Sequence, residues 1–535
     1  MKIDLTNRVR ICRWPNAAAA GLILCLLIAN HVVASDLDTI GLTLLRSVTT
    51  NLNGSGVRVA QVEAEVDSSS SPTFEVNPVS PGLASSNFTW FTGPPTAYLP
   101  QSTSTFPNSL GAESWHADDV GYDFYGLAEG VSTNVAHVDN FEGEYFFVTV
   151  VPGGISINDS IVNQSFVASA STNVQQQTYD SEYDTYSAQY GVLFVSGAGN
   201  GGAVSPPSTC YNGIGVAAYQ GYSSVGPTPD NGRAKPDITA PAAETSFSTP
   251  LVSGAATLLL QAGLRGDGGT DTNSAADMRT LKALLLNGAV KPSDWSNPSS
   301  SPLDPRYGAG VLNVYNSFRQ LAAGKHGLIE SGSVSTGSAH PPLSNTNNVS
   351  TLYGWDFNTN TSGALTDNIN HYYFSLVPAT PGASFTATIS LVWNRQAHQS
   401  SINHLQLFLY NTTSGSLVAS STSSVDNVQH IFVPQLPPGR YDLQVLKQGG
   451  STVSAAETYA LAFEFFSMPL SLSQSGSSTV LTWPLYPAGF SLESTSAPGL
   501  GASWSRGYSP VLTNNQNKVI LSSGTGNLYF RLVRP

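Results

Sequence analysis

The sequence predicts an α/β layer, a parallel sheet with helices on both faces, followed by two all-β sandwich domains. Three observations carry that prediction. Over the first half, short apolar runs rich in β-branched residues alternate with helical patterns, the pattern of strands covered on both faces and linked by helices. After about Gly324 helical periodicity does not return and strand-like alternation replaces it. At 535 residues the chain also exceeds one ordinary domain of ~100 to 200 residues.

Taken in order, Lys2, Arg8, Arg10 and Arg13 precede an apolar run from Ala17 to Ala29, and Val32-Val33-Ala34 supplies small residues for a signal peptidase. Residues 1–34 therefore read as a secretory signal, the apolar run Ala17 to Ala29 being too short for a ~30 Å hydrocarbon core. The mature chain is expected to be secreted, extracellular or periplasmic, with no later transmembrane segment. Cys12 and Cys25 leave with that signal, so Cys210 has no intramolecular partner and reads as a buried structural thiol.

Strands are expected at Val57–Val62, Tyr145–Val151, Ile161–Val162, Val192–Val195 and Ile214–Ala218. Leu251, Val252, Ala255, Leu258 and Leu259 follow helical spacing, and Ser274 with Asp277 forms a capping box for a helix that Gly288 should end. These elements define an α/β domain over 40–325. The Ser, Gly, Pro and Asn stretch within 326–350 reads as a linker. Alternating runs such as His371–Leu376, Ala387–Trp393, Leu405–Tyr410 and Tyr441–Val445 predict a jelly-roll-like sandwich over 351–467, and 468–535 a small immunoglobulin-like domain.

Composition limits the function. Hydrophobic residues make up 41% and charged residues 11%, well below the ~25% charged of a typical soluble protein, so Ser, Thr, Asn and Gln carry solubility. The net charge of −13 disfavours a nucleic-acid binder and acidic membrane surfaces. There are no clustered His or Cys ligands and no Asp-rich calcium loop of the EF-hand kind, so catalysis is expected to need no metal or other cofactor, with room left for structural calcium.

Chemistry concentrates at Glu244-Thr245-Ser246-Phe247-Ser248-Thr249-Pro250, which opens the helix before Leu251. Ser246 sits where free N–H groups and the positive helix end converge; the plainer reading makes Ser246 or Thr245 an N-cap. Upstream lie Lys235-Pro236-Asp237-Ile238-Thr239-Ala240-Pro241, Tyr222-Ser223-Ser224-Val225-Gly226-Pro227, Gly197-Ala198-Gly199-Asn200 and Val162-Asn163-Gln164-Ser165; Tyr307-Gly308-Ala309-Gly310-Val311-Leu312-Asn313 follows. In order and spacing, across roughly Gly54 to Leu321, these resemble the motifs of the subtilisin-like serine proteases. The resemblance implies that Ser246 is the nucleophile and Asn200 an oxyanion-hole donor. It implies that His116, in Ser114-Trp115-His116-Ala117, is the general base, with His137 the rival in a strand pattern. Gly56-Val57-Arg58-Val59-Ala60-Gln61-Val62-Glu63 aligns Glu63 where that family has Asp; Glu65 and Asp67 are alternatives.

Departures from the family pattern accompany the match. Glu244 stands where Gly is usual, only four residues separate Pro241 from Ser246, and Val167 replaces a glycine on the edge where substrate pairs. Between Ala34 and Gly54 there is no room for the usual folding propeptide. The resemblance thus implies a serine endopeptidase acting on a protein or peptide. A second class is an inactive protease-fold scaffold that binds partners, with cell-surface or glycan contact through the sandwiches. A third, a glycosidase using Glu142 and Glu144, reads more simply as two solvated carboxylates.

Overall fold

The computed structural model describes residues 35–65, 72–93, 101–298, 301–378, 383–450, 453–476, 478–484, 489–497, 502–513, 516–522 and 528–533. The expected signal and Asp67 lie outside the described residues. In the first half, eight strands form one sheet in the order Ile238–Pro241, Ile214–Tyr219, Leu193–Gly197, Ile161–Gln164, Arg58–Glu63, His137–Glu142, Phe88–Thr92 and Gln101–Thr103. Neighbours run parallel except Gln101–Thr103, which is antiparallel at the edge. Both faces are covered, and period-two alternation divides the side chains between them. Val57 and Val59 enter the core with the helix Thr245–Leu264. Ala60 and Val62 enter a second core with Tyr183 and Tyr186 of the helix Asn173–Tyr190.

The helix Thr245–Leu264 runs through the first core. It is long and apolar enough to cross a membrane, yet 89% of that apolar window is buried within the protein. The helix Trp115–Tyr125 packs against it, and Gly254 makes room for the segment that follows that helix: a Cβ there would lie 2.4 Å from the Val131 Cβ. Register pairs Glu63 with Glu142 and Val62 with Gln164. The strands therefore finish together, and their carboxyl ends form the edge where open parallel sheets hold ligands.

Beyond the α/β layer, a five-stranded antiparallel sheet (Glu330–Ser335, Thr366–Leu376, Gly439–Lys447, Leu405–Asn411, Leu417–Ser421) faces a four-stranded one (Tyr353–Thr361, Ala456–Phe466, Phe385–Trp393, Val428–Leu436). The four-stranded sheet also packs on the α/β layer. Trp355, Val392, Val428, Ala460 and Ala462 share the core of the helix Met278–Gly288. Thr388 donates to Asn287 at 3.1 Å, Arg395 pairs with Asp184 at 2.7 Å, and Arg319 pairs with the buried Glu464. Four- and three-stranded sheets complete the chain around Leu481, Trp483, Leu492 and Val519.

Four local expectations change. Residues 326–350 contain the strand Glu330–Ser335, paired with Thr366–His371. It is an edge strand, and backbone pairing at an edge does not require the apolar side chains that the sequence lacks there. Tyr145–Val151 is helical rather than extended: the strand is His137–Glu142, followed by the helical segments Gly143–Tyr145 and Phe146–Val150. A short apolar run fits a buried helical turn as well as a strand. Ser274 and Asp277 do not share a box; Asp271 caps Thr272–Ala275, and Asp277 caps Met278–Gly288 through the Arg279 N–H. Glu142 is buried rather than solvated, and its carboxylate accepts the Glu144 and Tyr145 N–H groups at 2.7 Å each.

Candidate active site

At the carboxyl end of the sheet, Glu63 is the last residue of Arg58–Glu63 and is 1% exposed. Its Oε2 lies 2.8 Å from His116 Nδ1. His116 occupies the second position of the helix Trp115–Tyr125, whose cap is Ser114, accepting from the Ala117 N–H. With a carboxylate on Nδ1 that nitrogen carries the proton, which leaves Nε2 as the base. The other oxygen of Glu63 accepts from Gln61 Nε2 at 2.8 Å; the same amide nitrogen donates to the Ala117 carbonyl, and Tyr125 donates to Gln61 Oε1 at 2.5 Å. Gln61 thus ties the acid, the helix of the base and a buried tyrosine together. The sequence reading did not assign it; period two from Glu63 along the strand was the signal available.

Burial pushes the His116 pKa down, but the hydrogen bond and charge of Glu63, with the charges of Asp119 and Glu244, outweigh it and the net direction is upward. His137 begins its strand opposite Arg58, at the far end of the sheet from Glu63. It bonds Thr89 at 2.9 Å and pairs with Asp139 at 3.3 Å, and burial holds its pKa down. Glu65 is exposed and has no bond to His116. Cys210 is buried and free, its thiol pushed up to about 12 by burial.

Ser246 is the second residue of the helix Thr245–Leu264, whose cap is Glu244. Pro250 lacks the N–H that would bond the Ser246 carbonyl one turn back. That carbonyl instead accepts the Ser165 hydroxyl at 2.8 Å, which fastens the first turn to the segment after Ile161–Gln164. The Ser246 hydroxyl donates to the Ser165 carbonyl at 3.4 Å. The Phe247 and His116 rings lie 5.9 Å apart, so base and helix start meet. Among the described residues, however, no hydrogen bond joins Ser246 to His116. Asn200 lies at the same helix start: its Oδ1 accepts the Thr245 N–H at 2.9 Å and the Thr245 hydroxyl at 2.8 Å, and its Nδ2 donates to Glu244 at 3.1 Å. Among the described residues no group of three or more His, Cys, Asp or Glu is arranged to hold a metal ion.

This arrangement offers a buried carboxylate, an imidazole oriented by it, and a hydroxyl at a helix N-terminus, the groups needed for acyl transfer. Residues 126–355 match the model of the subtilase family, Peptidase_S8; the matched span includes Asn200 and Ser246 and begins after Glu63 and His116. Among solved structures, tripeptidyl peptidase 2 is similar at 13% identity and TM-score 0.31, over 76% of this chain and 48% of that one. The chain thus spans about half the length of that protein. The adhesin domain of Epf from Streptococcus pyogenes is similar at 9% identity and TM-score 0.16, over 33% of this chain and 71% of that one. A GH2 β-galacturonidase from Eisenbergiella tayi is similar at 8% identity and TM-score 0.13, over 39% and 38%. No curated protein matches the chain.

Proposed function

We propose that this chain, which carries a subtilase-family serine peptidase domain and so takes protein or peptide as substrate, is a secreted endopeptidase working through an acyl-enzyme on Ser246. The observation that carries the reading is the 2.8 Å contact between His116 and the buried Glu63, braced by Gln61. Ser246 Oγ leaves the Ser165 carbonyl and attacks the substrate carbonyl carbon while its proton passes to His116 Nε2. Glu63, in place of the family's Asp, stabilises the imidazolium that forms. The Asn200 amide and the Ser246 N–H hold the oxyanion. Collapse of the tetrahedral adduct expels the amine, which takes the proton from His116, and water activated by the same imidazole releases the acyl group.

A second reading, an inactive scaffold that binds partners through its β-sandwiches, is favoured by the Ser246 hydroxyl facing Ser165 and by the Asn200 amide resting on Glu244. A fluorophosphonate probe separates the two. Labelling of the chain from Ser35, abolished in Ser246→Ala and in His116→Ala, supports the peptidase. A folded wild type that takes no label supports the scaffold.

A further inference from the structure

Glu244 places a carboxylate where the reaction needs an anion of its own. Its Oε2 accepts from Asn200 Nδ2 at 3.1 Å, and Asn200 is fixed in that orientation because its Oδ1 is held by both donors of Thr245. As the cap residue of a 20-residue helix, Glu244 makes no side-chain bond to the helix's own N–H groups. Its backbone is bridged to Tyr222. Its charge reaches His116, which also faces Glu63 and Asp119; all three carboxylates raise the affinity of that imidazole for a proton.

We infer that Glu244 is a rate-setting residue that occupies one N–H of the Asn200 amide in the resting site and opposes the oxyanion during reaction. This rests on the peptidase reading above. A carboxylate is a stronger acceptor than the neutral carbonyl of a bound substrate, so the amide stays on Glu244 until charge develops on the substrate oxygen. At that moment a second negative charge beside the same amide offsets part of what the donor supplies. Glycine, which the resembling family carries at this position, has no such group.

The test is Glu244→Gln, which keeps the size and an acceptor oxygen at an exposed position but removes the charge. On a chromogenic peptide, at a pH above the acid limb where His116 is unprotonated in both forms, kcat should rise about tenfold with KM little changed, a fraction of the roughly 100- to 1,000-fold that one oxyanion donor is worth. An unchanged or lower kcat overturns the inference and makes Glu244 a residue that orients Asn200. A second readout does not need turnover. In the Ser246→Ala protein, the Asn200 side-chain amide proton resonances should shift when Glu244→Gln is added. Resonances that stay in place overturn the inference whatever the kinetics. If neither Glu244 form turns over substrate yet those resonances move, the peptidase reading fails and the contact between Glu244 and Asn200 stands.

Discussion

Restoring the family's aspartate at position 63 should impair this protein rather than improve it. The Glu63 carboxylate reaches His116 at 2.8 Å from a buried strand end held by Gln61. Glu63→Asp withdraws the carboxylate by one methylene, about 1.5 Å, which stretches the contact to about 4.3 Å, beyond hydrogen-bond range. With an effective dielectric near 20, the attraction to an imidazolium falls from about 6 to about 4 kcal/mol, roughly thirtyfold in rate. Counted instead as one charge-assisted hydrogen bond, the same contact is worth about 1.5–3 kcal/mol, so the expected fall in kcat is roughly 10- to 150-fold. The pH profile provides a second check. His116 is raised above its ordinary value of 6.5 by Glu63 against the effect of burial, so weakening the contact lowers it and moves the acid limb of kcat/KM to lower pH. For stability the sign is fixed too: a histidine raised on folding stabilises fully below its unfolded value, and that contribution fades as pH rises through the folded one. Wild type should therefore exceed Glu63→Asp in urea midpoint most clearly in mildly acid solution, the two converging at alkaline pH. Stopped-flow and steady-state assays with the chromogenic peptide, plus urea melts across pH, decide the matter. A variant with wild-type kcat and an unmoved acid limb refutes the argument.

Gln61→Leu should lower both stability and kcat, because it strands Tyr125 Oη, the Ala117 carbonyl and one oxygen of Glu63 in a buried setting. At about 1–3 kcal/mol for each unsatisfied group, a urea melt should register several kcal/mol, and an unchanged midpoint would exclude the brace. Ending the chain at Gly324 should abolish folding of the α/β layer. It removes Trp355, Val392 and Val428 from the shared core, worth roughly 1.5–3 kcal/mol each against a total of about 5–15 kcal/mol. It also takes away Glu464 from Arg319. A cooperative melt of the shortened chain near the wild-type Tm would count against this.

The parallel sheet was legible in the sequence because buried strands are written in β-branched residues, as Ile161–Gln164 and Ile214–Tyr219 show. Tyr145–Val151 misled because apolar content without periodicity does not separate a strand from a buried turn, and only the Glu142 cap decides it. The edge strand Glu330–Ser335 escaped notice because its pairing is carried by the backbone. At the site, residue types and their order were readable, and so was Glu63 as the residue at the strand end. The reach of Gln61 to Ala117 and Tyr125 and the contact of Glu244 with Asn200 were not, since they join groups 44 to 64 residues apart in the chain. Only the Gln61–Glu63 half of the brace has a local signature, the period-two spacing along the strand. The helix caps changed partner for a smaller reason: Asp271 and Asp277 lie near enough that either could start a helix.

The shared core between the helix Met278–Gly288 and the four-stranded sheet also imposes an order in time. Arg319 leaves the ribosome 145 residues before its partner Glu464, roughly 7 to 30 s at ordinary elongation rates. For at least that interval the helix Met278–Gly288, made earlier still, lacks the inner strand Ala456–Phe466 that it packs against, and its apolar face is left partly uncovered. The α/β layer reaches its final packing only once the strand Ala456–Phe466 has been made. The downstream module is therefore the last wall of the α/β core to be synthesised.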